Sequence, residues 1–390
     1  MVKRVYMDHS ATTPLDPRVL KAMEPYLTEE YGNPSSIHRM GQIARNGVET
    51  AREQVARLIN AAPEEIIFTS GGTEADNLAI LGLMEAMPPR GQHIITSAIE
   101  HHAVLDVFAY LERKGYQVTF LPVNEYGMVE PETLERAMKP NTALVSIMHA
   151  NNEIGTIQPI KKLAAIAHEG GAVFHTDAVQ TVGRIPVDVK DMGVDMLSCS
   201  AHKLYGPKGV GCLYKKKGIR LARRLFGGAQ ERKLRSGTEN VPGIVGFGAA
   251  AEIAGEVMSE SIEHLTKLGR NLSGSLLRLI PDTILTGDPV NRLPGHVSLC
   301  FRYVEGESIL LMLDQLGIMA SSGSACTSGS LDPSHVLLAI GLPHEVAHGS
   351  VRLSLGRGNT REDVDYVVQV LPRIIERLRM MSPMTGEGGM

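Results

Sequence analysis

Lys203 lies where the sequence could hold a reactive lysine in place. It follows an apolar run, residues 196–200, and precedes a turn rich in glycine and proline, residues 204–209. A lysine that forms a Schiff base must be fixed in position and must have a lowered pKa. Read alone, such a lysine is more often a surface residue. Asp177, which ends another apolar run 26 residues earlier, makes the Schiff-base interpretation the stronger one.

Asp177 could pair with the protonated nitrogen of a pyridine ring. A carboxylate in that position keeps a cofactor ring cationic, so that the ring can accept electrons. Gln180 follows three residues later and could hydrogen-bond a phenolic oxygen of the same ring. The alternative for this segment is an aspartate that only caps the following turn.

The segment 70–73, Ser-Gly-Gly-Thr, joins a predicted strand to a predicted helix. Free amides at a helix N-terminus bind anions, and glycine lets the backbone approach a phosphate closely. Gly72 and Thr73 could therefore contact a phosphate, as could Ser200 and His202 beside the lysine. A simple helix cap is the alternative.

His101 follows a predicted strand, and a histidine at a strand end can stack on a planar ring and transfer protons. Its neighbour His102 raises the possibility of a metal site. Adjacent residues rarely share one metal well, and no carboxylate motif accompanies this pair, so we expect no metal.

Cys326 lies in a run of small residues, 321–330, that is rich in serine and glycine. Such a composition predicts an exposed loop, because these residues bury little apolar area. A cysteine on such a loop is a candidate nucleophile, since structural cysteines usually have apolar neighbours. The alternative is an incidental loop thiol.

Arg352 is a lone arginine in an apolar strand, residues 351–354, and therefore needs an anionic partner. A substrate carboxylate would fit, held by both arms of the guanidinium. Asn152, at another strand end, could supply an amide for the same task. The alternative for Arg352 is an internal salt bridge.

Short apolar runs alternate with helical patterns through the middle of the chain, which predicts an α/β fold with a mostly parallel seven-stranded sheet covered on both faces. The predicted strands are residues 66–68, 93–97, 117–123, 143–149, 172–175, 196–200 and 211–214, and the predicted helices between them are residues 74–85, 104–114, 131–138 and 160–168.

A long helical pattern, residues 252–278, leads into a smaller α+β region. There the sequence predicts strands at 297–301 and 351–354 and helices at 308–316 and 362–379. We expect a large cofactor-binding domain over residues 15–255, and a small domain made of residues 1–14 and 256–380. Residues 381–390 are expected to be a disordered tail.

The composition bounds the function only loosely. The net charge of -4 gives no general nucleic-acid footprint. The 4 cysteines form no CxxC pair, and the first residues contain no apolar signal segment, so we expect a reducing cytoplasm. No apolar run approaches the roughly 20 residues that span a membrane.

Together these segments resemble the NifS/IscS-type cysteine desulfurases of the class V aminotransferase superfamily, over residues 6–357. Nine stretches match in the order found in that family: MDHSATTP (7–14), GNPSSIH (32–38), FTSGGTEADN (68–77), EHHAVL (100–105), NNEIGTIQP (151–159), HTDAVQ (175–180), SAHKLYGPKG (200–209), RSGTEN (235–240) and SSGSACTSGS (321–330). The resemblance implies fold type I of the pyridoxal 5′-phosphate (PLP) enzymes and a homodimer.

The resemblance also implies residue roles. Lys203 would hold PLP and Cys326 would carry sulfur from L-cysteine as a persulfide. The remaining roles would be ring contacts by His101, Asp177 and Gln180, phosphate contacts by Gly72, Thr73, Ser200, His202 and the neighbouring subunit's copy of Thr238, and substrate carboxylate contacts by Asn152 and Arg352.

The loop around Cys326 resembles group I of these enzymes, which supply sulfur to acceptors such as an iron–sulfur scaffold protein. Two details depart from the family pattern: Ala229 replaces a usual glycine, and the segment after residue 378 is unlike that of some relatives. Competing interpretations are another PLP enzyme, such as a small-amino-acid aminotransferase or a selenocysteine lyase, and a sulfur-relay scaffold without catalysis.

Overall fold

A computed structural model describes residues 4–87, 93–323 and 333–381 of the chain. Its strands are β1 (Val5–Tyr6), β2 (Ile66–Thr69), β3 (His93–Ser97), β4 (Gln117–Leu121), β5 (Thr142–Ser146), β6 (Val173–Asp177), β7 (Met196–Ser200), β8 (Gly211–Lys215), β9 (Thr283–Leu285), β10 (His296–Phe301), β11 (Ile318–Met319) and β12 (Ser350–Ser354). Its helices are α1 (Pro17–Thr28), α2 (Arg39–Leu58), α3 (Gly72–Ala86), α4 (His102–Arg113), α5 (Pro131–Ala137), α6 (Ile160–Glu169), α7 (Val189–Met192), α8 (Val241–Leu279), α9 (Gly306–Gln315), α10 (His335–Ala339), α11 (His344–Ala347) and α12 (Arg361–Met381).

Seven strands form one sheet in the order β2-β8-β7-β6-β5-β3-β4. Strand β8 is antiparallel to both of its neighbours, and the other neighbouring pairs are parallel. Every residue of β2, β3, β5 and β7 is buried, as expected for strands with helices on both faces. The predicted mostly parallel seven-stranded sheet is confirmed.

Helices cover both faces of this sheet. On one face, Leu78 of α3 and Phe108 of α4 pack with Ile94 of β3 in one apolar cluster. On the other face, residues of α1, α2, α6 and the first half of α8 pack together, with Phe68 and Phe174 from the sheet. The sheet is therefore the middle layer of a three-layer α/β structure.

A separate apolar cluster joins the two ends of the chain. It contains Val5 and Met7, the second half of α8, strands β10 and β12, and residues of α9 and α12. Strand β1 pairs in parallel with β11, so the first residues return to the C-terminal region. The bounds of the small domain, residues 1–14 and 256–380, stay a prediction.

Helix α8 begins at Val241, well before the predicted start at residue 252, and Asn240 caps it by accepting the Gly243 N–H. Glycines in the first turns of α8 interrupt the apolar pattern in the sequence. They also let α8 approach α2 closely, because a Cβ on Gly248 would lie 2.5 Å from Ala51 Cα. By length and composition α8 could cross a membrane, but 56% of its most apolar stretch is buried inside the protein, as in a core helix.

Two helices at the start of the chain, α1 and α2, were not predicted. The C-terminal helix α12 ends at Met381, one residue inside the predicted tail. The rest of that tail, from residue 382, lies outside the described residues.

Candidate active site

A cavity of about 280 Å³ lies beside the ends of β2, β6 and β7. Asp177 ends β6 and Ser200 ends β7, so two neighbouring parallel strands deliver polar groups to one edge of the sheet. Ligands of open α/β sheets bind at this edge. Ten predicted site residues line the cavity: Gly72, Thr73, His101, Asn152, Asp177, Gln180, Ser200, His202, Lys203 and Arg352.

Lys203 lies in a short helical turn, Ala201–Lys203, directly after β7. Its Nζ donates to the backbone oxygen of Ser10 and, at 2.8 Å, to that of Ala11. Two carbonyl oxygens from the N-terminal segment therefore orient the amine on the cavity wall. This fixed position is what a Schiff-base lysine requires.

Asp177 is buried, and its Oδ1 accepts the backbone N–H of Val179 at 2.9 Å. Burial raises the pKa of Asp177, while nearby His101 and Lys203 act in the opposite direction. A second buried carboxyl group, that of Asp76, lines the same cavity. Burial and the nearby Asp177 raise the pKa of Asp76 well above its ordinary value.

The Asp76 Oδ1 atom is buried and has no hydrogen-bond partner among the described residues. Asp177 supplies a carboxyl group for a pyridine nitrogen at this end of the cavity. Asp177 therefore fits a pyridine ring whose nitrogen carries a proton.

At the other end, the cavity is built to receive an anion. Gly72 and Thr73 form the first turn of α3, a helix of 15 residues whose free N–H groups lie at the cavity. A Cβ on Gly72 would lie 2.6 Å from the Val179 side chain, so the site requires glycine there. Ser200 and His202 line the same wall. With Asp177 opposite, the residues fit PLP, which carries a phosphate and a pyridine ring.

His101 caps the N-terminus of α4, where its Nδ1 accepts the Ala103 N–H at 3.1 Å. Burial lowers the pKa of His101, although Asp177 opposes this effect. In the neutral ring, Nδ1 is thus the acceptor and Nε2 carries the proton. No group of three or more metal-binding side chains occurs in residues 4–87, 93–323 and 333–381.

Arg352 forms the internal salt bridge that the sequence left as an alternative. Its Nη2 lies 3.0 Å from the Asp8 carboxylate, and its Nη1 donates to the backbone oxygen of Asn152 at 3.0 Å. Its Nε has no hydrogen-bond partner within the described part of the chain. Asp8 and the Asn152 oxygen therefore hold the guanidinium in place, and Arg352 lines the cavity.

Two predicted site residues are not brought to the cavity. Thr238 is exposed and does not line the cavity of its own chain, so its contact with a neighbouring subunit stays a prediction. Cys326 lies in the segment 324–332, outside the described residues. Sequence reasoning gave no role to five other lining residues: Ser10, Ala11, Asp76, Met148 and Val179.

Comparison with known proteins places this geometry in a family. The family model described as aminotransferase class-V matches residues 5–367. A protein of Methanosarcina thermophila named cysteine desulfurase IscS is 56% identical over 383 residues, which cover 98% of this chain and 95% of the relative. A protein of the same name from Dictyoglomus turgidum is 54% identical, with coverage of 98% and 97%.

Solved structures agree with these relatives. A structure titled NifS-like protein is 42% identical and has a TM-score of 0.91, with coverage of 96% of this chain and 100% of that one. An apo structure of a cysteine desulfurase from Thermococcus onnurineus is 28% identical, with a TM-score of 0.87 and coverage of 96% and 95%. The chain belongs to the class V aminotransferase family and, within it, to the cysteine desulfurases.

Proposed function

We propose that this protein is a PLP-dependent cysteine desulfurase that converts L-cysteine to L-alanine and leaves the sulfur as a persulfide on Cys326. The observation that carries the proposal is the single cavity lined by both the Lys203 amine and the Asp177 carboxyl group. An amine for a Schiff base and an anion for a pyridine nitrogen, placed together, are the two requirements of PLP chemistry.

PLP bound here supplies an electron sink for the carbon that loses its proton. Lys203 would hold the cofactor and then move the substrate's α-proton, because its Nζ is already oriented by the oxygens of Ser10 and Ala11. Asp177 would keep a positive charge at the ring nitrogen, and Gln180 would donate to the ring oxygen. His101, neutral and half-buried, would stack on the ring and relay protons through Nε2.

We assign the substrate carboxylate to Arg352 and Asn152. Arg352 lines the cavity, and its positive charge can pair with a carboxylate. Arg352 is 2% exposed, which strengthens this charge-assisted bond relative to water. Asn152 lines the cavity beside it.

Sulfur transfer would use the Cys326 thiolate. It attacks the substrate sulfur, so that an S–S bond forms as the C–S bond breaks, and the remaining three-carbon unit takes up a proton and leaves as alanine. The persulfide is then passed to an acceptor protein, for which an iron–sulfur scaffold is our candidate. We further propose a cytoplasmic homodimer in which Thr238 reaches the partner subunit's phosphate site.

Two variants test this function. Lys203→Ala should abolish the visible absorption band of a lysine-bound cofactor. Cys326→Ser should keep that band but stop the release of sulfide from cysteine under reducing conditions. Alanine and sulfide are measured together with transamination of a keto acid. A persisting band in Lys203→Ala, or full sulfide release in Cys326→Ser, would refute the assigned roles.

A further inference from the structure

Arg184 lies behind the cavity wall and is joined to the reactive amine by a chain of hydrogen bonds. Its Nη1 donates to Gln180 Oε1 at 3.0 Å. The Nε2 of Gln180 donates to the Ser10 backbone oxygen at 3.0 Å. The same oxygen accepts a hydrogen bond from Lys203 Nζ. Gln180 and Lys203 line the cavity, whereas Arg184 does not.

The contacts with Arg184 and the Ser10 oxygen together fix the orientation of the Gln180 amide. An amide has one oxygen that accepts and one nitrogen that donates, while a guanidinium only donates. Because Arg184 engages the oxygen, Gln180 presents its N–H groups to the Ser10 oxygen and the cavity. Without the Arg184 donor, only the Ser10 oxygen would oppose a half-turn of the amide that exchanges the two atoms.

Arg184 is also a half-buried cation without a carboxylate partner in the described residues. Its Nη2 is buried and has no hydrogen-bond partner there. Burial lowers the pKa of Arg184; the nearby Tyr205 opposes this effect, and Arg352 adds to it. A buried charge that lacks a counter-ion is costly, and that cost points to a function beside an anionic ligand.

We infer that Arg184 is a positioning residue, which holds the Gln180 amide with its N–H toward the cavity and places a positive charge behind the ring oxygen of the cofactor. The inference rests on the proposed function, because it requires a ring that carries such an oxygen. It concerns cofactor binding and electronics and does not require contact between Arg184 and the substrate.

A double-mutant cycle tests whether Arg184 acts through Gln180. The dissociation constant of PLP is measured by fluorescence titration of apoprotein for wild type, Arg184→Met, Gln180→Leu and the double variant. We expect Arg184→Met to weaken binding about tenfold in the wild-type background and less than about twofold in the Gln180→Leu background. An equal loss in both backgrounds, or no loss in the first, would overturn the inference.

A second measurement follows the charge. The pH at which the visible absorption of the holoenzyme changes should rise by about one unit in Arg184→Met, because loss of a nearby cation favours proton binding. Arg184→Lys keeps the charge and should remain close to wild type, which also covers the case that Arg184→Met does not fold. The inference would be contradicted if Arg184→Met kept the wild-type midpoint. It would also be contradicted if the midpoint of Arg184→Lys shifted as far as that expected for Arg184→Met.

Arg292→Met is the matched control. The Arg292 guanidinium is also largely buried, but it donates to the backbone oxygens of Thr286, Asp288 and His296 and does not line the cavity. Its loss should leave the absorption midpoint unchanged, and an equal shift would overturn the inference. A wild-type chain that binds no PLP would refute the proposed function itself, whereas bound PLP with an unaltered Arg184→Met refutes the inference alone.

Discussion

At the scale of single residues, three neighbouring carboxyl groups are kept from water, and two of them, Asp76 and Asp177, line the cavity. Asp76, Glu100 and Asp177 are all buried, and burial raises the pKa of each. Of these three groups, only Asp177 has its pKa lowered again by the nearby His101 and Lys203. Like charges in one buried cluster cannot all ionise, so we expect Asp177 to carry the charge.

Replacing Asp177 with Asn tests that assignment. The amide has the same shape but no charge, so turnover of cysteine should fall by about 10²–10³-fold, the loss typical of one electrostatic stabiliser. PLP should remain bound at its phosphate end. Steady-state rates and the absorption spectrum are the measurements.

Asp288→Asn is the control for the loss of a buried carboxylate. Like Asp177, Asp288 accepts the backbone N–H of the residue two positions on, here Val290 at 2.7 Å, but it is not at the cavity. The Asp288→Asn substitution should reduce stability and leave the rate of cysteine turnover within about twofold of wild type. A rate in Asp177→Asn that matches this control would refute the assignment.

Sequence reasoning identified the site residues that carry distinctive side chains after strands, such as Asp177 and Lys203. It missed the groups that act without a distinctive side chain. Ser10 and Ala11 contribute backbone oxygens, which cannot be recognised from the residue type. In the sequence, Arg184 and Asp76 look like ordinary polar residues. The turn after β6 determines the neighbours of Arg184, and the packing of α3 determines those of Asp76.

At the scale of elements, a turn between β8 and α8 is held in an unusual conformation. Glu231, Arg232 and Lys233 have φ values of 43°, 55° and 67°, and each left-handed residue of this kind costs about 1–2 kcal/mol. Two hydrogen bonds of 2.8 Å join the Glu231 carboxylate to the buried Arg52 guanidinium. The same carboxylate accepts the Phe68 N–H. This buried ion pair fastens the turn to α2 and β2.

Replacing Glu231 with Leu should therefore destabilise the protein by about 3–5 kcal/mol, because the Arg52 charge is left buried with only the half-exposed Glu49 nearby. Urea or guanidinium unfolding monitored by circular dichroism gives the free energy. The double variant Arg52→Met/Glu231→Leu should lose less than the single one, since no uncompensated charge remains. A larger loss in the double variant would show that the pair itself is the stabilising unit.

Among the elements, strands and the helices between them were predicted well, and α2 was missed. Its residues have a clear helical spacing, but its buried face consists largely of small residues, including Gly41, Ala44, Gly47 and Ala51, rather than large apolar ones. The same small residues let α8 pack closely against α2. Glycines in the first turns of α8 interrupt its apolar pattern in the sequence. In both helices, small residues are required because the two backbones approach closely. Hydropathy alone does not reveal that approach.

At the scale of the whole molecule, buried acids make stability depend on pH. Burial raises the pKa of Glu100 to about 8. Between the unfolded value of about 4.3 and pH 8, the folded state then binds one proton more than the unfolded state. The free energy of unfolding must fall as pH rises through this range, by up to about 1.4 kcal/mol per pH unit for this one group.

Glu100→Gln should remove that contribution. A plot of unfolding free energy against pH, measured by denaturant titration between pH 5 and pH 8, should become less steep than for wild type. Glu64→Gln, which alters an exposed carboxyl, should keep the wild-type slope. An unchanged slope in Glu100→Gln would mean that Glu100 is ionised in the folded protein. Its bonds from Ser97 and the Met148 N–H favour that form.

The N-terminal segment that holds Lys203 is itself held by the far end of the chain. Asp8 binds Arg352, 344 positions away, and His9 Nδ1 lies 3.0 Å from the Ser354 backbone oxygen. During synthesis on the ribosome, these first residues must wait until almost the entire polypeptide has emerged. We therefore expect the amine to reach its final orientation, and the vitamin B6 cofactor to be loaded, after translation.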